Sequence, residues 1–459
     1  MKLPAYPRTK PSGVEWLGDV PEHWDVKRLK YSASINDEAL TETTSPDFEF
    51  EYVDIGGVSA VDGITATEQV IFESAPSRAR RKVRHGDTIV STVRTYLRAI
   101  TPIKNPPENL IVSTGFAVVR PRKVEPAFLA SALRESSFIE TVVARSVGVS
   151  YPACNASEVG AIAIPLPPPA EQRAIAAFLD RETGRLDRLV AKKRELIERL
   201  KEKRTALISR TVTRGLPPAA ARAVGFPQDP PLKPSGLGWL GEIPKHWKIK
   251  PVKYVARIGN GSTPSRDNPA FWEEGDYPWL NSSVVNRETV TQSEEFVTVL
   301  ALAECHLPKI KPPAVLVGIT GQGRTRGMAS TLLFEATINQ HLAYLKPLHP
   351  QAEVGFLRRV FDMAYSFLRS ESDGGGSTKG AITCEQIGAM SIPVPPLSEQ
   401  AAIAAYLDSE TAKLDVLVAK VEETAERLQE YRAALITAAV TGKIDVRNGD
   451  NTLQSAHAV

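Results

Sequence analysis

Two matched stretches of sequence decide the architecture of this chain. Residues 165–193 read PLPPPAEQRAIAAFLDRETGRLDRLVAKK, and residues 393–421 read PVPPLSEQAAIAAYLDSETAKLDVLVAKV. The stretches align without a gap at an offset of 228 (393 − 165), and each runs from a proline cluster into a helical pattern. A match of this length within one chain predicts that a structural unit has been duplicated.

A second pair of matched stretches precedes the first pair. Residues 11–31 read PSGVEWLGDVPEHWDVKRLKY, and residues 234–254 read PSGLGWLGEIPKHWKIKPVKY, at an offset of 223 (234 − 11). Between these anchors the similarity nearly vanishes, apart from a faint match of STGFAVVRP from Ser113 with NQHLAYLKP from Asn339. The order predicts two copies of one plan, in which a shared opening segment and a divergent body precede a shared long helix.

Apolar residues repeat every seven positions in both helical stretches. A heptad period sustained over about four heptads is typical of a coiled coil, in which two positions of each heptad face the partner helix. Lys193 interrupts one of these positions in the first helix. We therefore predict a helix seam made of Leu186, Leu189, Leu196, Leu200 and Leu207 in the first helix and Leu414, Leu417, Val421, Leu428 and Leu435 in the second.

The two helices differ in charge. Residues 181–214 hold twelve Lys/Arg and five Asp/Glu, a balance of +7 (12 − 5), whereas residues 408–443 hold five and seven, a balance of −2 (5 − 7). Opposite balances favour pairing of the two helices through flanking positions. In the alternative arrangement each helix packs only on its neighbouring body, with its charges in solvent.

Local signals predict the ends of the helices. Ser398 follows two prolines and is a good N-cap for the second helix, while Ala170 at the matching place in the first helix is a poorer one. Gly215 and Gly442 lie where helices often terminate.

Composition bounds the class of protein. The 459 residues correspond to about two to four domains, and 42% hydrophobic residues exclude a disordered chain. The 3 cysteines, Cys154, Cys305 and Cys384, form no C-x-x-C pair, so neither a zinc knuckle nor a disulfide scaffold is expected, and their sparsity fits a cytoplasmic location. No apolar run reaches the roughly 18 residues that span a bilayer, and the first ten residues do not resemble a signal peptide. A net charge of +3 neither requires nor excludes a nucleic-acid partner.

The divergent bodies have the composition of mixed α/β domains. Runs of β-branched residues predict strands, and longer amphipathic runs predict helices. The expected strands are residues 88–93, 111–114, 116–119, 314–320 and 342–345, and the expected helices are residues 128–144 and 354–368. The chain then divides into a first body at residues 1–165, a first long helix at 166–215, a second body at 216–393, a second long helix at 394–443 and a flexible tail at 444–459.

Three sequence patterns resemble motifs of catalytic, nucleotide-binding or metal-binding sites, and each departs from its motif or has a structural explanation. Residues 105–108 read NPPE, which lacks the aromatic residue with which amino-methyltransferases stack a flipped base. Residues 318–325 read GITGQGRT, in which Arg324 replaces the lysine of a P-loop. His23 and His246 recur in a duplicated Pro-x-His-Trp motif, which favours a packed structural corner over a pair of metal ligands. We expect no catalytic, cofactor-binding or metal-binding residues in this chain.

Basic, aromatic and hydroxyl side chains in the bodies suit contacts with phosphates and base edges. Residues 78–84 are densely basic, residues 94, 96 and 98 alternate on an expected strand and would share one face, and glycine-rich loops carry the remainder. A solvated charged face is the alternative for each residue. The candidate DNA-binding residues are Arg78, Arg80, Arg81, Lys82, Arg84, Arg94, Tyr96, Arg98, Arg266, Gln322, Arg324, Arg326, Ser377, Thr378 and Lys379.

The opening segments, the stretches PPPAEQRAIAAFLD and PPLSEQAAIAAYLD and the long helices after them resemble those of type I restriction-modification specificity subunits. The resemblance covers nearly the whole chain. It implies a mixed α+β fold with two globular α/β target recognition domains, joined by two long helices that form an antiparallel coiled coil, in a pseudo-twofold internal repeat. Each domain would read one half of a bipartite site in double-stranded DNA. The first helix departs from the second by Pro169-Ala170 in place of Leu397-Ser398, which affects only the N-cap.

The same resemblance implies that the chain is not an enzyme. Its expected partners are two modification (methyltransferase) subunits, which dock on the helices, and restriction (translocase and nuclease) subunits, with no membrane involved. S-adenosylmethionine, ATP and Mg²⁺ would be cofactors of those partners, and this chain would hold none. The family's motifs do not fix the residues that contact bases, so the candidate residues above come from charge and loop composition.

Two other classes of function remain open from the residues alone. A self-contained nucleic-acid methyltransferase would need a cofactor loop that the sequence lacks, and titration of the isolated chain with cofactor would detect one. A scaffold built on a duplicated coiled coil would not bind DNA, so salt-dependent DNA binding separates it from a specificity subunit.

Overall fold

The repeated stretches of sequence form the same elements in both halves of the chain, as seen in a computed structural model. The structure describes residues 4–59, 62–148, 152–321, 323–373 and 380–447. The candidate residues Gln322, Ser377, Thr378 and Lys379 fall outside the described residues.

The chain divides into two units, which do not follow the chain from end to end. Unit 1 consists of Met1–Arg194 together with Glu422–Val459, and unit 2 consists of Glu195–Val421. Each unit therefore contains one body and parts of both long helices.

Unit 1 contains short strands, short helices and the beginning of the first long helix. Its strands are β1 (Thr9–Pro11), β2 (Asp19–Pro21), β3 (Asp25–Arg28), β4 (Ala33–Ile35), β5 (Glu49–Val53), β6 (Val58–Ser59), β7 (Gly63–Ile64), β8 (Glu68–Ile71), β9 (Ala79–Lys82), β10 (Thr88–Ser91), β11 (Ile100–Pro102), β12 (Leu110–Ser113), β13 (Phe116–Pro121) and β14 (Ala163–Leu166). Its helices are α1 (Pro126–Leu133), α2 (Ser136–Ala144), α3 (Ala156–Ala161), the first part of α4 (Pro169–Arg214) and the last part of the second long helix.

Two sheets form the body of unit 1. The first has the order β11-β10-β13-β4 with antiparallel neighbours, and the second has the order β8-β5-β12-β9, in which β12 is parallel to β5. Strand β10 is buried on both faces, because Val90 packs in the core with α1 and α2 while Ile89 packs in the core between the sheets. Such a strand needs apolar residues on both faces, which explains its continuous β-branched composition.

Unit 2 repeats these elements with additions. Its strands are β15 (Leu232–Pro234), β16 (Glu242–Pro244), β17 (Lys248–Pro251), β18 (Ala256–Asn260), β19 (Tyr277–Leu280), β20 (Thr289–Val290), β21 (Glu295–Val297), β22 (Ala314–Gly318), β23 (Ala329–Leu332), β24 (Thr337–Ile338), β25 (Leu342–Pro347) and β26 (Ser391–Val394). Its helices are the end of α4, then α5 (Pro218–Ala223), α6 (Val299–Glu304), α7 (Val354–Asp373), α8 (Cys384–Ala389) and the first part of α9 (Leu397–Val440).

The bodies share a topology although their sequences diverge. In unit 2 the main sheet has the order β18-β25-β22-β23-β20, so β23, β22, β25 and β18 correspond to β11, β10, β13 and β4 of unit 1. Strand β19 is parallel to β24, as β5 is to β12. The hairpins β1-β2 and β15-β16 also correspond, as do the pairs β3-β14 and β17-β26. The predicted mixed fold, with two α/β bodies and two long helices, is confirmed.

The predicted helix at residues 128–144 is two helices, which corrects the prediction. The chain breaks between α1 and α2 at Arg134 and Glu135, where the carboxylate of Glu135 accepts a hydrogen bond from the Phe138 N–H at 2.8 Å and caps α2. The apolar spacing continues through this break, so periodicity alone could not reveal it.

The long helices already include the residues expected at their N-caps, and the predicted glycines follow their ends. Helix α9 begins at Leu397, so Ser398 lies inside the first turn and is not the N-cap that the sequence suggested. Gly215 and Gly442 follow the two helices with φ of 84° and 74°, in the left-handed region that glycine adopts without steric cost. The chain continues past Gly442, and Val446 is buried in the unit 1 core, so residues 444–447 belong to the folded unit and not to a tail.

Helix α4 begins in unit 1 and ends in unit 2, whereas α9 begins in unit 2 and ends in unit 1. In unit 1, Leu186 of α4 and Leu435 of α9 lie in one core, each 7% exposed, with Leu428 packed against it. In unit 2, Leu414 is buried, and the other seam residues, Leu200, Leu207 and Val421, are half-buried.

One of the two predicted heptad positions is displaced by one residue. Leu189, Leu196 and Leu417 are 38%, 39% and 48% exposed, so they do not lie in a seam. The residues that follow two of them, Val190 and Ile197, are each 7% exposed and take their place. A shift of one residue rotates a side chain by about 100° around a helix, and the prediction chose the leucine where two apolar residues stand side by side.

Candidate nucleic-acid interface

The basic run at residues 78–84 lies mainly on β9, an edge strand of the second sheet in unit 1. Arg80 is held internally, with its Nη1 2.9 Å from the Ala79 carbonyl and its guanidinium 4.7 Å above the ring of Phe72. Arg84 pairs with Glu38 at 2.5 Å. Arg81 is half-buried, and burial lowers the pKa of its guanidinium. Only Arg78 and Lys82 of this run are both exposed and without a described side-chain partner.

Arg94, Tyr96 and Arg98 do not alternate on a strand, which corrects the prediction. They lie in the loop between β10 and β11, on a 3-10 turn whose flanking residues Arg94 and Arg98 have φ of 49° and 54°. Left-handed non-glycine residues cost about 1–3 kcal/mol each and cluster at functional sites. Strand β10 ends at Ser91 although the β-branched composition continues to Val93, so composition did not signal the turn.

Contacts on both sides fix this turn. Thr95 is buried, and its Oγ1 lies 2.8 Å from the Ser146 hydroxyl, while the Arg98 guanidinium binds Glu140. Tyr96 and Leu97 are left 54% and 42% exposed at the tip. The sequence did not indicate Leu97 as a candidate, because the candidates were chosen by charge and loop composition and an isolated leucine is uncharged.

In unit 2 the glycine-rich loop between β22 and β23 carries Arg324 and Arg326, which behave differently. The Arg324 side chain is exposed, whereas Arg326 is 3% exposed and its guanidinium packs so closely on Gly380 that a Cβ there would lie 1.4 Å from Nη1. Arg326 is therefore part of the core of the loop and not of a DNA-facing surface. The loop joins two antiparallel strands and is followed by no helix, which excludes a P-loop.

Arg266, the remaining unit 2 candidate that the structure describes, stacks on aromatic rings. Its guanidinium lies 3.7 Å from the ring centroid of Trp272 and 5.2 Å from that of Trp279, and it hydrogen-bonds Glu295. Cation–π stacking fixes the orientation of this half-exposed arginine. The candidates thus fall on separate elements: β9 and the β10–β11 loop in unit 1, the β22–β23 loop and the aromatic cluster in unit 2.

A buried glutamate near the start of α9 explains the His-Trp motif of unit 2. Glu399 lies 2.8 Å from His246 Nε2 and accepts a hydrogen bond from Trp247 Nε1 at 3.1 Å. Its carboxylate also lies in the first turn of the helix, where the helix dipole favours negative charge. The duplicated histidine is a structural residue at this corner.

Unit 1 uses the same corner with one different donor. Glu171 lies 2.7 Å from His23 Nε2, and the Tyr6 hydroxyl donates to its other oxygen. Burial, together with the hydrogen bond and charge of Glu171, raises the pKa of the Tyr6 phenol well above its usual value. Among the described residues, no acceptor faces Nε1 of Trp24, the counterpart of Trp247.

The residue after each glutamate ties the helix to its body. The Gln172 side-chain oxygen accepts from the Glu125 N–H at 2.8 Å, and its Nε2 donates to the Pro167 carbonyl at 2.8 Å. Gln400 accepts in the same way from the Glu353 N–H at 2.8 Å. The Glu-Gln pair of the repeated stretches therefore positions each body on the start of a long helix.

Unit 2 adds a cluster of charges between its body and both long helices. Arg359 is 1% exposed and donates to Asp408 of α9 at 2.6 Å, while Arg358 donates to Glu288 at 2.8 Å. Arg204 of α4 also binds Glu288. Burial alone would raise the pKa of Glu288, but the hydrogen bond from Arg358 and the three arginine charges lower it to about 2.

In both units an ion pair joins the two long helices. Arg432 Nε lies 2.8 Å from Asp187 in unit 1, and Arg204 Nε lies 3.1 Å from Asp415 in unit 2. Asp187 and Asp415 are counterparts at the repeat offset of 228 (415 − 187), as are Arg204 and Arg432 (432 − 204).

Within the described part of the chain, no three His, Cys, Asp or Glu side chains are grouped so as to hold a metal ion. The same residues include no helix long and apolar enough to cross a membrane. Burial raises the pKa of the Cys154 thiol to about 11, so this cysteine is not poised as a nucleophile.

Sequence profiles of known families match the chain twice. The family described as "Type I restriction modification DNA specificity domain" matches residues 21–199 and residues 244–426, one copy for each repeat.

Individual relatives match the chain at low identity, one over most of its length and another over less than half. A protein of Methanocaldococcus jannaschii, provisionally named the type I restriction enzyme MjaX specificity subunit, is 24% identical over 94% of this chain and 96% of its own length. The type I restriction enzyme EcoR124I/EcoR124II specificity subunit of Escherichia coli is 28% identical over 42% of this chain and 46% of its own length.

Solved structures have a similar fold. A chain solved in a study of complex assembly and conformational transition of a type I R-M system aligns with a TM-score of 0.70 and 25% identity, covering 92% of this chain and 98% of that one. The crystal structure of the HsdS subunit from Thermoanaerobacter tengcongensis aligns with a TM-score of 0.51 over the same shares, at 24% identity.

Proposed function

The chain belongs to the type I restriction modification DNA specificity family, and from this membership we propose that it selects the DNA target of a type I restriction-modification complex. Each unit reads one half of a bipartite site in double-stranded DNA. The chain itself carries out no catalysis, and its role is recognition and assembly.

One observation supports reading by two independent units. The two bodies share the order and direction of their strands, yet the loops at corresponding places carry unlike side chains. The same scaffold with different surface chemistry is what two unrelated half-sites require, because scaffold positions the loops and side chains specify the bases.

The remaining parts of the proposal follow from the family. The bodies at residues 1–165 and 216–393 are the target recognition domains, and the long helices at 166–215 and 394–443 dock two modification subunits, to which restriction subunits are added. S-adenosylmethionine, ATP and Mg²⁺ belong to those partners. The complex acts on DNA in the cytoplasm. Leu189 in unit 1 and Leu196 and Leu417 in unit 2 are exposed apolar side chains on the long helices, and each is accessible to such partners.

An exchange of bodies tests the proposal. Residues 32–160 are replaced by the corresponding body of another family member, and the full chain is produced with its modification subunits in a host whose methylated sites are then sequenced. One half of the recognised site should change while the other half stays the same. If both halves change together, or if the wild-type chain directs no sequence-specific methylation, the proposal is wrong.

A further inference from the structure

We infer that one loop in each unit contacts the bases of its half-site: residues 94–98 in unit 1 and residues 323–327 in unit 2. The inference rests on the proposed function and deepens it by naming the residues that determine specificity. It also sets these loops apart from the basic run at residues 78–84, which contributes sequence-independent contacts to phosphates.

The two loops occupy the same place in the two units. Each follows the strand at the corresponding central position of its main sheet, β10 or β22, and leads into the neighbouring antiparallel strand. The residue that opens the loop makes the same backbone hydrogen bond in both copies: the Thr92 carbonyl accepts from the Cys154 N–H, and the Ile319 carbonyl accepts from the Ile382 N–H, each at 2.8 Å. A duplicated protein that binds two DNA segments of the same shape is expected to use the same place in both copies.

The loop of unit 1 presents apolar surface from a fixed backbone. Its two left-handed arginines and the buried Thr95 hold the turn, so Tyr96 and Leu97 remain at the tip without ordering on binding. An aromatic ring and a branched apolar side chain can contact the methyl group of thymine or stack on an exposed base, and neither carries the positive charge that dominates sequence-independent binding to phosphates. These two residues therefore act in base contact and not in general affinity.

The loop of unit 2 presents a cation from an equally fixed backbone. Helix α7 clamps the loop, because the Tyr365 hydroxyl donates to the Arg324 carbonyl at 2.9 Å and Arg369 Nη1 donates to the Gly323 carbonyl at 2.7 Å. The Arg324 side chain is exposed, and its guanidinium has no hydrogen-bond or ion-pair partner within the described chain. A pre-positioned arginine with its donors unused suits bidentate recognition of guanine O6 and N7.

Two glycines at the ends of the second loop occupy backbone positions that other residues could adopt only with a clash or with strain. A Cβ at Gly318 would lie 2.3 Å from the Thr325 carbonyl oxygen, and Gly327 has a φ of 87°. These glycines keep the loop tightly folded at both ends. The position of Arg324 is thus set by the loop and does not depend on its own side-chain contacts.

The test compares five full-length chains, each produced with its modification subunits: wild type, Tyr96→Ala, Arg324→Ala, Arg324→Lys and Lys82→Ala. Binding is measured on pools of DNA randomised in either half-site and over a range of salt, and body exchange assigns each half-site to a unit. All three residues are exposed, so equal melting temperatures establish that the variants are folded.

We expect Arg324→Ala to lower discrimination about 5- to 150-fold at a guanine in the half-site of unit 2 and to leave the other half-site unchanged. Tyr96→Ala should relax only the half-site of unit 1. Lys82→Ala should weaken binding to all sequences alike and reduce the salt slope by about 1, with both half-sites intact. Arg324→Lys should behave as the alanine variant, since an ammonium cannot form the bidentate pair.

Two results would overturn the inference while leaving the proposed function in place. One is a wild-type bipartite site that the Tyr96 and Arg324 variants read with undiminished discrimination. The other is a loss of affinity that is uniform over all sequences, as for Lys82→Ala. A wild-type complex without any sequence preference would instead contradict the proposed function itself.

Discussion

Asp187 of α4 and Arg432 of α9 are joined by a contact of 2.8 Å between Oδ1 and Nε. The contact joins two residues that are far apart in sequence, and the repeat places the same pair of residue types in unit 2, as Asp415 and Arg204. In each unit the carboxylate and the guanidinium come from different long helices. The duplicated ion pair therefore fixes the register of the helices in both units, although the heptad leucines first drew attention to their pairing.

Neutralising one partner of this pair should destabilise unit 1. Asp187→Asn leaves the largely buried Arg432 without its carboxylate, and the neighbouring Arg134 then meets a like charge that Asp187 had offset. We expect a lower melting temperature for Asp187→Asn and for Arg432→Gln, and a smaller loss for the double variant than the sum of the two. Since Asp187 is half-exposed, the coupling energy should be on the order of 1 kcal/mol. Strictly additive losses in thermal denaturation would show that the contact does not stabilise the protein.

Two adjacent residues of α4, one buried and one exposed, test which face of the helix is packed. Ile197 is 7% exposed and Leu196 is 39% exposed, although the two side chains are similar in size and lie next to each other in sequence. Ile197→Ala should cost about 2–4 kcal/mol, because it opens a cavity, whereas Leu196→Ala should cost less than about 1 kcal/mol. Urea denaturation of the two variants side by side measures the difference. Equal losses of stability, or a larger loss for Leu196→Ala, would support the packing position at Leu196 that the sequence predicted.

The glutamine of each repeated stretch should be as important as the helix seam. Gln172→Met keeps the volume of the side chain but leaves the Glu125 N–H and the Pro167 carbonyl without their partner. Unsatisfied buried groups cost about 1–3 kcal/mol each, so for two groups we expect a loss of about 2–6 kcal/mol. Gln400→Met provides an independent repetition in unit 2, and calorimetry should show a similar loss there. A stable Gln172→Met variant would mean that water replaces the amide.

Acid should remove the contribution of Glu288. Its pKa is lowered to about 2 from an ordinary value of 4.5, so its charge stabilises unit 2 fully above about pH 4.5. That contribution is lost as the pH falls from about 4.5 towards 2. Glu288→Gln should therefore melt below the wild type at neutral pH, and the gap between the two should narrow over this acidic range. A gap that is independent of pH would assign the effect to shape and not to charge.

The sequence predicted the repeated elements well because their signals are local. The backbone preference of Gly215 is enough to predict the end of α4, and β-branched composition is enough to predict the strands β10 and β22. The choice between Leu189 and Val190 failed, because a seven-residue period is satisfied by either neighbour and only packing decides between them. The common topology of the two bodies could not be predicted from the sequence either. Strand order depends on contacts between residues that are distant in the chain, and no local pattern of residue types records those contacts.

The sequence predicted which types of residue the candidate loops contain, but not the backbone conformation or the exposure of those residues. Arg324 and Arg326 are equivalent in sequence terms, yet one is exposed and the other lies against Gly380. Arg94 and Arg98 suggested a strand face, because nothing in a single sequence signals left-handed backbone at two arginines four positions apart. Charge density therefore selected residues 94–98 on the basis of a strand pattern that the structure does not contain.

The sharing of the long helices between units has a consequence for the order of folding during synthesis. Unit 2 is a continuous piece of chain and can close as soon as Val421 has left the ribosome. Unit 1 lacks Leu435, Ile436 and Ala439 of its core until the last part of the chain emerges, so its body must wait with an uncovered apolar face. A nascent chain of which only residues up to Val421 have emerged would thus carry a finished unit 2 and an unfinished unit 1, whose uncovered apolar face is accessible to proteases and chaperones.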